Sequence, residues 1–163
     1  MLAVIVKTIT PVVAPVHSKR MLRRLIEKYN LNEHLDRIFF RVSIGGKPHI
    51  WIPGRAVRYA IRNALYDLGE EKLPRFEMLK IFGMVFKQED VVIEHFFLKP
   101  KGQKSSLMCV EIVPPDSMGL ILFGTREIPD IIKKVAKLQI GGLRTHGYGW
   151  VEIFWDKTTE VNI

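Results

Sequence analysis

Apolar residues recur along this chain at two spacings, one typical of β-strands and the other typical of α-helices. Residues 2–6 are apolar and mostly β-branched, and residues 8–10 continue the run, which predicts a first strand buried on both faces. Ser18 can cap a helix that continues to about Tyr29 and ends at Asn30, because apolar residues recur there at helical spacing. The start of the chain therefore predicts a buried strand followed by an amphipathic helix.

Two β-rich runs, residues 37–44 and 47–52, flank Gly45-Gly46 and predict a hairpin with a tight turn. A helix is predicted from Pro53-Gly54 to about Leu68, because its apolar residues form one stripe at helical spacing. This second helix should therefore begin directly where the hairpin ends.

The second half of the chain is dominated by predicted strands. Apolar runs at 79–86 and 91–98 surround a turn-like segment and predict another hairpin. A third helix is predicted over 127–138, where apolar residues recur every three or four positions and Pro129 suits a first turn. Three further strands are predicted at 107–113, 119–123 and 148–155.

The order of these elements indicates the fold class. Helices interleaved with paired strands are typical of an α+β architecture. The succession of strand, helix, strands, helix and strand fits a ferredoxin-like (RRM-like) antiparallel sheet with helices on one face, here with hairpin insertions. A chain of 163 residues favours one domain, which we assign to residues 1–155, followed by a C-terminal tail over 156–163.

Composition points to an acidic partner. The chain has 25 Lys and Arg against 17 Asp and Glu, a formal net charge of +8, so RNA or DNA is favoured over an anionic membrane. A basic protein with no polyanionic partner is the alternative. The hydrophobic share of 47 % argues against wholesale disorder.

The single cysteine restricts the disulfide and metal chemistry that the chain can support. Cys109 is the only cysteine and lies in the apolar run 107–113, which indicates a buried structural thiol. A single cysteine can form neither an intrachain disulfide nor a multi-cysteine zinc site. We therefore expect a cytoplasmic protein without a cofactor or a metal site. In addition, no apolar run approaches the ~20 residues that are needed to span a bilayer.

A glycine-rich segment near the end of the chain is the first candidate site. Four glycines fall within nine residues, together with Arg144 and His146. Clustered glycines allow a loop whose N–H groups face an anion, and an arginine fork suits phosphate. The alternative is a tight turn into an edge strand with an incidental arginine. The loop residues assigned to RNA binding are Gly141, Gly142, Arg144, His146, Gly147 and Gly149.

Two basic helix faces are further candidates. Gly54 opens the second predicted helix, whose first N–H groups can meet a phosphate, and Arg55, Arg58 and Arg62 share one face of it. The first predicted helix carries Lys19, Arg20 and Arg23. For both faces the alternative is a helix surface that is merely solvated.

Two segments together resemble signatures of the CRISPR-associated RAMP superfamily. Residues 52–65 read IPGRAVRYAIRNAL, similar to the strand-to-helix entry of its backbone subunits, and residues 141–151 read GGLRTHGYGWV, similar to its C-terminal glycine-rich loop. Pro53, Gly54 and Arg58 match the first motif, while Tyr59 stands where the family commonly has a small residue. The four loop glycines and Arg144 match the second motif.

The resemblance implies a ferredoxin-like fold that holds CRISPR RNA, mainly through the phosphate backbone. It also implies that the protein is a subunit of a cytoplasmic ribonucleoprotein. That assembly would be a multi-subunit effector or processing complex in antiviral defence, and it would contain other CRISPR-associated subunits. Target RNA and further copies of this chain along the RNA are left open as partners. No membrane contact is expected.

Two other functions remain open. Some RAMP proteins cut RNA without metal by using a histidine as general acid or base, and His17 and His146 are the candidates here. Others cut target RNA with a metal-binding aspartate near the first strand, but residues 10–24 contain no Asp or Glu, which favours binding without cleavage. A ferredoxin-like domain that binds only protein is the third interpretation.

Overall fold

The computed structural model describes residues 1–70, 79–98 and 106–162. In these stretches the chain forms two α-helices, α1 (Lys19–Tyr29) and α2 (Gly54–Asp67). It also forms ten strands: β1 (Leu2–Thr8), β2 (Val12–Val13), β3 (Phe40–Ile44), β4 (Lys47–Pro53), β5 (Ile81–Lys87), β6 (Val92–Leu98), β7 (Ser106–Val113), β8 (Met118–Phe123), β9 (Lys137–Gln139) and β10 (Trp150–Glu160).

Seven strands form the main sheet in the order β3-β4-β5-β8-β1-β10-β9, and all of its ladders are antiparallel. Strands β2, β7 and β6 form a second, three-stranded sheet. In the main sheet β8 lies between β1 and β5, and α2 is part of the segment that connects β1 to β5 in the sequence. The predicted α+β class with a mostly antiparallel sheet is confirmed.

The hydrophobic core lies between α2 and one face of the main sheet. Val57, Ile61 and Leu65 of α2 are fully buried and belong to the same cluster as Val4 of β1 and Ile121 of β8. Helix α1 packs in a separate cluster with Leu35, Ile38 and Cys109 of β7. Of the three helices expected on one sheet face, the two that form therefore pack in different clusters, and α2 is the one in the main core.

Local sequence signals correctly predicted several element boundaries. Ser18 caps α1, because its Oγ accepts a hydrogen bond from the Met21 N–H at 3.2 Å, and Asn30 ends the helix in the left-handed region at φ 53°. The turn between β3 and β4 uses Gly45 at φ 58° and Gly46 at φ 78°, as a tight hairpin requires. None of the described helices is long and apolar enough to cross a membrane.

The predicted hairpin over 79–98 is wrong in its pairing. Strands β5 and β6 form close to the predicted positions, but β5 pairs with β4 and β8 in the main sheet, while β6 pairs with β7. A 3-10 turn at Gln88–Asp90 redirects the chain between them. Residues 83–86 of β5 are buried, as expected of a central strand with neighbours on both edges.

The helix predicted over 127–138 is also absent. Residues 132–134 form a 3-10 turn and residues 137–139 form β9, which pairs with β10. The apolar positions behind the prediction are still buried, among them Ile132 and Leu138. Because Ile131, Ile132 and Val135 are β-branched, the segment has weak helix propensity, and it covers the edge of β10 instead.

The C-terminal residues were predicted as a tail from residue 156. Strand β10 continues instead to Glu160, and its last part pairs with the start of β1, where Leu2 faces Glu160. The sheet therefore includes both ends of the described chain.

Candidate nucleic-acid interface

A groove of about 540 Å³ opens where three distant segments of the chain meet. Residues 15–17 after β2 form one side, the entry of α2 forms another, and residues 139–144 form the third. We call this the aromatic groove. Its aromatic lining residues are His17, Phe39, Phe40, Trp51 and Tyr59, and its polar lining residues are Arg55, Gln139 and Arg144.

A second depression of about 330 Å³ adjoins the aromatic groove. The two share Ala60, Gln139 and Arg144 in their linings, so they form one continuous surface. The second depression adds two cations, Lys134 and Lys137, and the exposed aromatic ring of Trp150, with Asp67 as its acidic residue; we call it the basic extension.

Arg55 and Arg144 give the aromatic groove its charge. Both are exposed, and neither forms a salt bridge with a carboxylate in the described stretches. The groove's own described lining contains no acidic residue. An uncompensated arginine pair beside aromatic rings is suited to bind an anion that carries a flat apolar group.

The glycine-rich loop is tied to β2 at close range. Gly141 has φ 91°, and a Cβ there would lie 2.6 Å from the Val13 carbonyl oxygen. A Cβ on Gly142 would lie 2.7 Å from the Ala14 carbonyl oxygen. Glycine is therefore required at both positions so that the loop backbone can approach the neighbouring strand.

Four of the nine backbone N–H groups of residues 141–149 donate hydrogen bonds within the protein. Gly142 donates to the Val13 carbonyl at 2.8 Å and Gly149 donates to the Pro11 carbonyl at 2.9 Å. His146 and Gly147 donate within the 3-10 turn that covers Arg144–His146. These bonds hold the loop backbone in place, and the Arg144 side chain is the charged group that the loop contributes to the groove.

Gln139 holds the same loop from the side. Its Nε2 donates to the Arg144 carbonyl at 2.6 Å and to the Tyr148 carbonyl at 2.9 Å. These two bonds hold the loop against β9. They fix the backbone position from which the Arg144 side chain reaches the groove.

The entry of α2 is packed as tightly as the loop. Gly54 is buried, and a Cβ there would overlap the carbonyl oxygen of Ile81 in β5. Pro53 precedes the helix and provides no side-chain cap, so Arg55 projects from an uncapped first turn. Arg58 and Arg62 lie farther along α2 and line neither the groove nor its extension.

The two candidate histidines occupy different positions. His17 lines the aromatic groove, its ring meets that of Phe40 edge-on at 5.0 Å, and its Nε2 lies 2.9 Å from the Ile38 carbonyl oxygen. Since a carbonyl oxygen only accepts, Nε2 carries the proton and Nδ1 is the basic nitrogen of the neutral ring. His146 is exposed and lines neither depression.

The basic face of α1 lies outside the groove. Lys19, Arg20 and Arg23 are exposed, and none of them lines the groove or the basic extension. The helix begins two residues after His17, so its first turn follows directly from one wall of the groove.

Several site residues were not predicted from the sequence. Phe40 and Trp51 lie in predicted strands, Gln139 lies between the predicted third helix and the glycine-rich loop, and no local pattern distinguishes any of the three. Tyr59 had a signal, since it departs from the small residue of the resembled motif. In the structure the Tyr59 side chain is exposed, so the larger residue at this position adds an aromatic ring to the surface of α2.

Carboxylates do not gather at this site. In the described part of the chain no group of three His, Cys, Asp or Glu side chains is placed to hold a metal ion. Asp36, which lies between α1 and β3, accepts a hydrogen bond from the Cys109 N–H at 2.8 Å and so ties this connection to β7.

Comparison with known proteins does not assign the chain to a family. No protein-family model matches it, and no curated protein sequence matches it.

Proposed function

We propose that this protein binds single-stranded RNA along the aromatic groove and its basic extension. We further propose that it does so as a cytoplasmic subunit of a CRISPR-associated RAMP complex that holds CRISPR RNA. The observation that carries the proposal is the meeting of two segments about ninety residues apart. The α2 entry contributes Arg55 and the glycine-rich loop contributes Arg144 to one groove.

The groove's chemistry supports a single strand over a duplex. Cationic side chains that track a backbone, interleaved with aromatic rings on which bases stack, are typical of sites for single-stranded nucleic acid. Arg55 and Arg144 supply the first feature in the groove, and Lys137 supplies it in the extension, where Lys134 is paired with Glu70 at 2.8 Å. The net charge of +8 adds a long-range attraction for a polyanion.

The ferredoxin-like assignment belongs to the same proposal. The strand order β5-β8-β1-β10 supports it, because such a core inserts an antiparallel strand between the two strands of a βαβ unit. In that interpretation α2 is the first core helix, the β3–β4 and β6–β7 hairpins are insertions, and the 3-10 turn at Ile132–Lys134 replaces the second helix.

The test is binding of a labelled, unstructured RNA measured by fluorescence anisotropy over a series of salt concentrations. Each phosphate contact lowers the slope of log affinity against log salt by roughly 0.7 for a single strand. We expect the double variant Arg55→Ala/Arg144→Ala to bind more weakly and to flatten that slope by about 1.4.

The control is Arg126→Ala/Lys157→Ala, which also removes two charges, from exposed side chains that line neither depression. If the double variant and the control lose the same affinity, the arginines act only through net charge and the site assignment is wrong. If the wild-type protein shows no salt-sensitive shift at all, a protein partner becomes the better interpretation.

A metal-independent endoribonuclease is the second candidate, and the position of His17 favours it over any role for His146. The imidazole lines the groove with its proton fixed on Nε2, so Nδ1 is available as a base. The same RNA incubated with a chelator should then show discrete cuts that disappear in His17→Ala and persist in His146→Ala. Intact RNA in every lane would reject cleavage and leave binding.

A further inference from the structure

We propose that the aromatic groove holds one unpaired nucleobase and favours a base with an exocyclic amino group, such as cytosine, over uracil. This inference rests on the proposed RNA binding and adds a base preference to it. It follows from which hydrogen-bonding groups of the groove the protein itself already uses.

Tyr59 provides the platform on which a base can stack. It is 56 % exposed although it is a large aromatic residue on α2, and it lines the groove one turn after Arg55. A tyrosine ring can stack on any base, while the adjacent arginine can hold the phosphate of the same nucleotide. The groove volume of about 540 Å³ lies within the roughly 300–1,000 Å³ range of small-ligand pockets.

Three other aromatic rings of the groove lining pack against one another. The Phe40 ring lies between those of His17 and Trp51, at centroid distances of 5.0 and 6.0 Å. Trp51 is itself anchored, because its Nε1 donates to the Phe82 carbonyl at 3.0 Å. A base that enters the groove therefore meets a wall of fixed rings whose polar edges are already positioned.

Gln139 presents an acceptor to the groove. Its amide nitrogen has two hydrogens, and both are donated to backbone carbonyls of the glycine-rich loop. This fixes the amide orientation and leaves Oε1 as the group that takes no hydrogen bond within the described residues. The side chain can therefore accept from a ligand but cannot donate to one.

His17 presents a second acceptor. Its Nε2–H is held by the Ile38 carbonyl, so the neutral ring has only the Nδ1 lone pair to offer. Gln139 and His17 therefore each present an acceptor that needs a hydrogen-bond donor from the ligand. A base with an amino group supplies one, as N4 does in cytosine, whereas uracil places the acceptor O4 at the same position.

Cytosine and uracil are the cleanest pair with which to test this preference, because they have nearly the same size and differ only in N4–H₂ against O4 and in N3 against N3–H. The experiment measures anisotropy of labelled oligo(C) and oligo(U) of equal length, at pH 8 and constant salt, with the full chain. We expect oligo(C) to bind roughly tenfold tighter, since the two hydrogens of N4 can serve both acceptors, whereas uracil has a single donor on that edge, N3–H, and leaves at least one acceptor without a donor.

Two variants separate stacking from base recognition. Tyr59→Ala should weaken both oligonucleotides by at least about fivefold. Its matched control is Tyr66→Ala, which removes a ring on the same helix that is also 56 % exposed but lines neither depression. Gln139→Leu should bring the ratio of the two affinities toward one; loosening of the loop alone would lower both affinities and leave their ratio unchanged.

The outcomes distinguish a failure of the base preference from a failure of the proposed RNA binding. A preference for oligo(C) that Gln139→Leu reduces, with weaker binding in Tyr59→Ala but not in Tyr66→Ala, supports the base pocket. Equal, salt-sensitive binding of both oligonucleotides overturns the pocket and leaves phosphate binding in place. Absence of binding to either one overturns both.

Discussion

A buried ion pair joins the two sheets and offers the sharpest stability test. Glu111 of β7 is 4 % exposed at its side chain and Arg41 of β3 is 10 % exposed. The carboxylate accepts from Arg41 Nη1 at 2.7 Å, from Arg41 Nη2 at 2.5 Å and from the Phe39 N–H at 3.0 Å. The pair therefore fastens the start of β3, and with it one wall of the aromatic groove, to the second sheet.

The variant to make is Glu111→Gln, which keeps the shape of the side chain and one acceptor oxygen. It removes the negative charge and leaves a guanidinium donor without its acceptor. Loss of one charge-assisted bond of this kind costs about 1.5–3 kcal/mol in the free energy of unfolding. The harsher Glu111→Ala removes all three bonds and should cost about 3–5 kcal/mol, since it leaves the Arg41 charge buried and unpaired.

The assay is urea unfolding followed by tryptophan fluorescence, with the free energy of unfolding extrapolated to water. Glu94→Gln on β6 is the control, because Glu94 is exposed and should change stability by less than about 0.5 kcal/mol. Pairing Glu111→Leu with Arg41→Met removes both charges and should recover part of the loss. A Glu111→Gln protein as stable as the control would refute the idea that this pair fastens the sheets.

The remaining predictions concern single positions. Gly54→Ala should lower the free energy of unfolding by about 1–3 kcal/mol, because the new Cβ would overlap a β5 carbonyl, whereas Gly45→Asn at an open left-handed turn position should be close to neutral in the same urea-unfolding assay. Burial, and then the Asp36 carboxylate, raises the pKa of the Cys109 thiol. Since the thiolate is the reactive form, iodoacetamide should label Cys109 more slowly at pH 8 than an ordinary cysteine, and Asp36→Asn should speed labelling; a rate equal to that of free cysteine would contradict this.

The local elements were predictable where a few neighbouring residues decide the backbone. Ser18 and Asn30 mark the two ends of α1, and Gly45-Gly46 marks a turn that requires positive φ at both positions. The α2 entry at Gly54 was equally readable. At Ser18, Asn30 and Gly45-Gly46 the determining interactions lie within one turn of the chain, so a single sequence contains them, whereas the close packing of Gly54 against the Ile81 carbonyl is a tertiary contact.

Segments whose neighbours come from elsewhere were predicted less well. The spacing of Ile128, Ile132, Val135 and Leu138 correctly indicated buried positions, yet it did not specify a helix, because an irregular segment can bury the same side chains. Strands β5 and β6 look alike as apolar runs, and their assignment to different sheets depends on β4, β8 and β7.

The candidate site shows the same division. Arg55, Arg144 and His17 could each be identified from the sequence as a residue capable of binding or catalysis. Only the structure shows that these three line one groove and that Arg58, Arg62 and His146 do not. The roles of Gln139 and Tyr59 depend on hydrogen bonds and exposure that no local pattern records.

The sequence by itself determined the strongly capped helix and the tight turn, the basic character of the protein and the two motifs that resemble RAMP signatures. These properties depend on residue types and short-range spacing. The tertiary structure decided strand partners, the loss of the third helix, the Arg41–Glu111 connection and the composition of the groove. The physical reason is that hydrophobic burial is not directional: a pattern shows that a side chain leaves water, but only the packing of the whole chain selects what it meets.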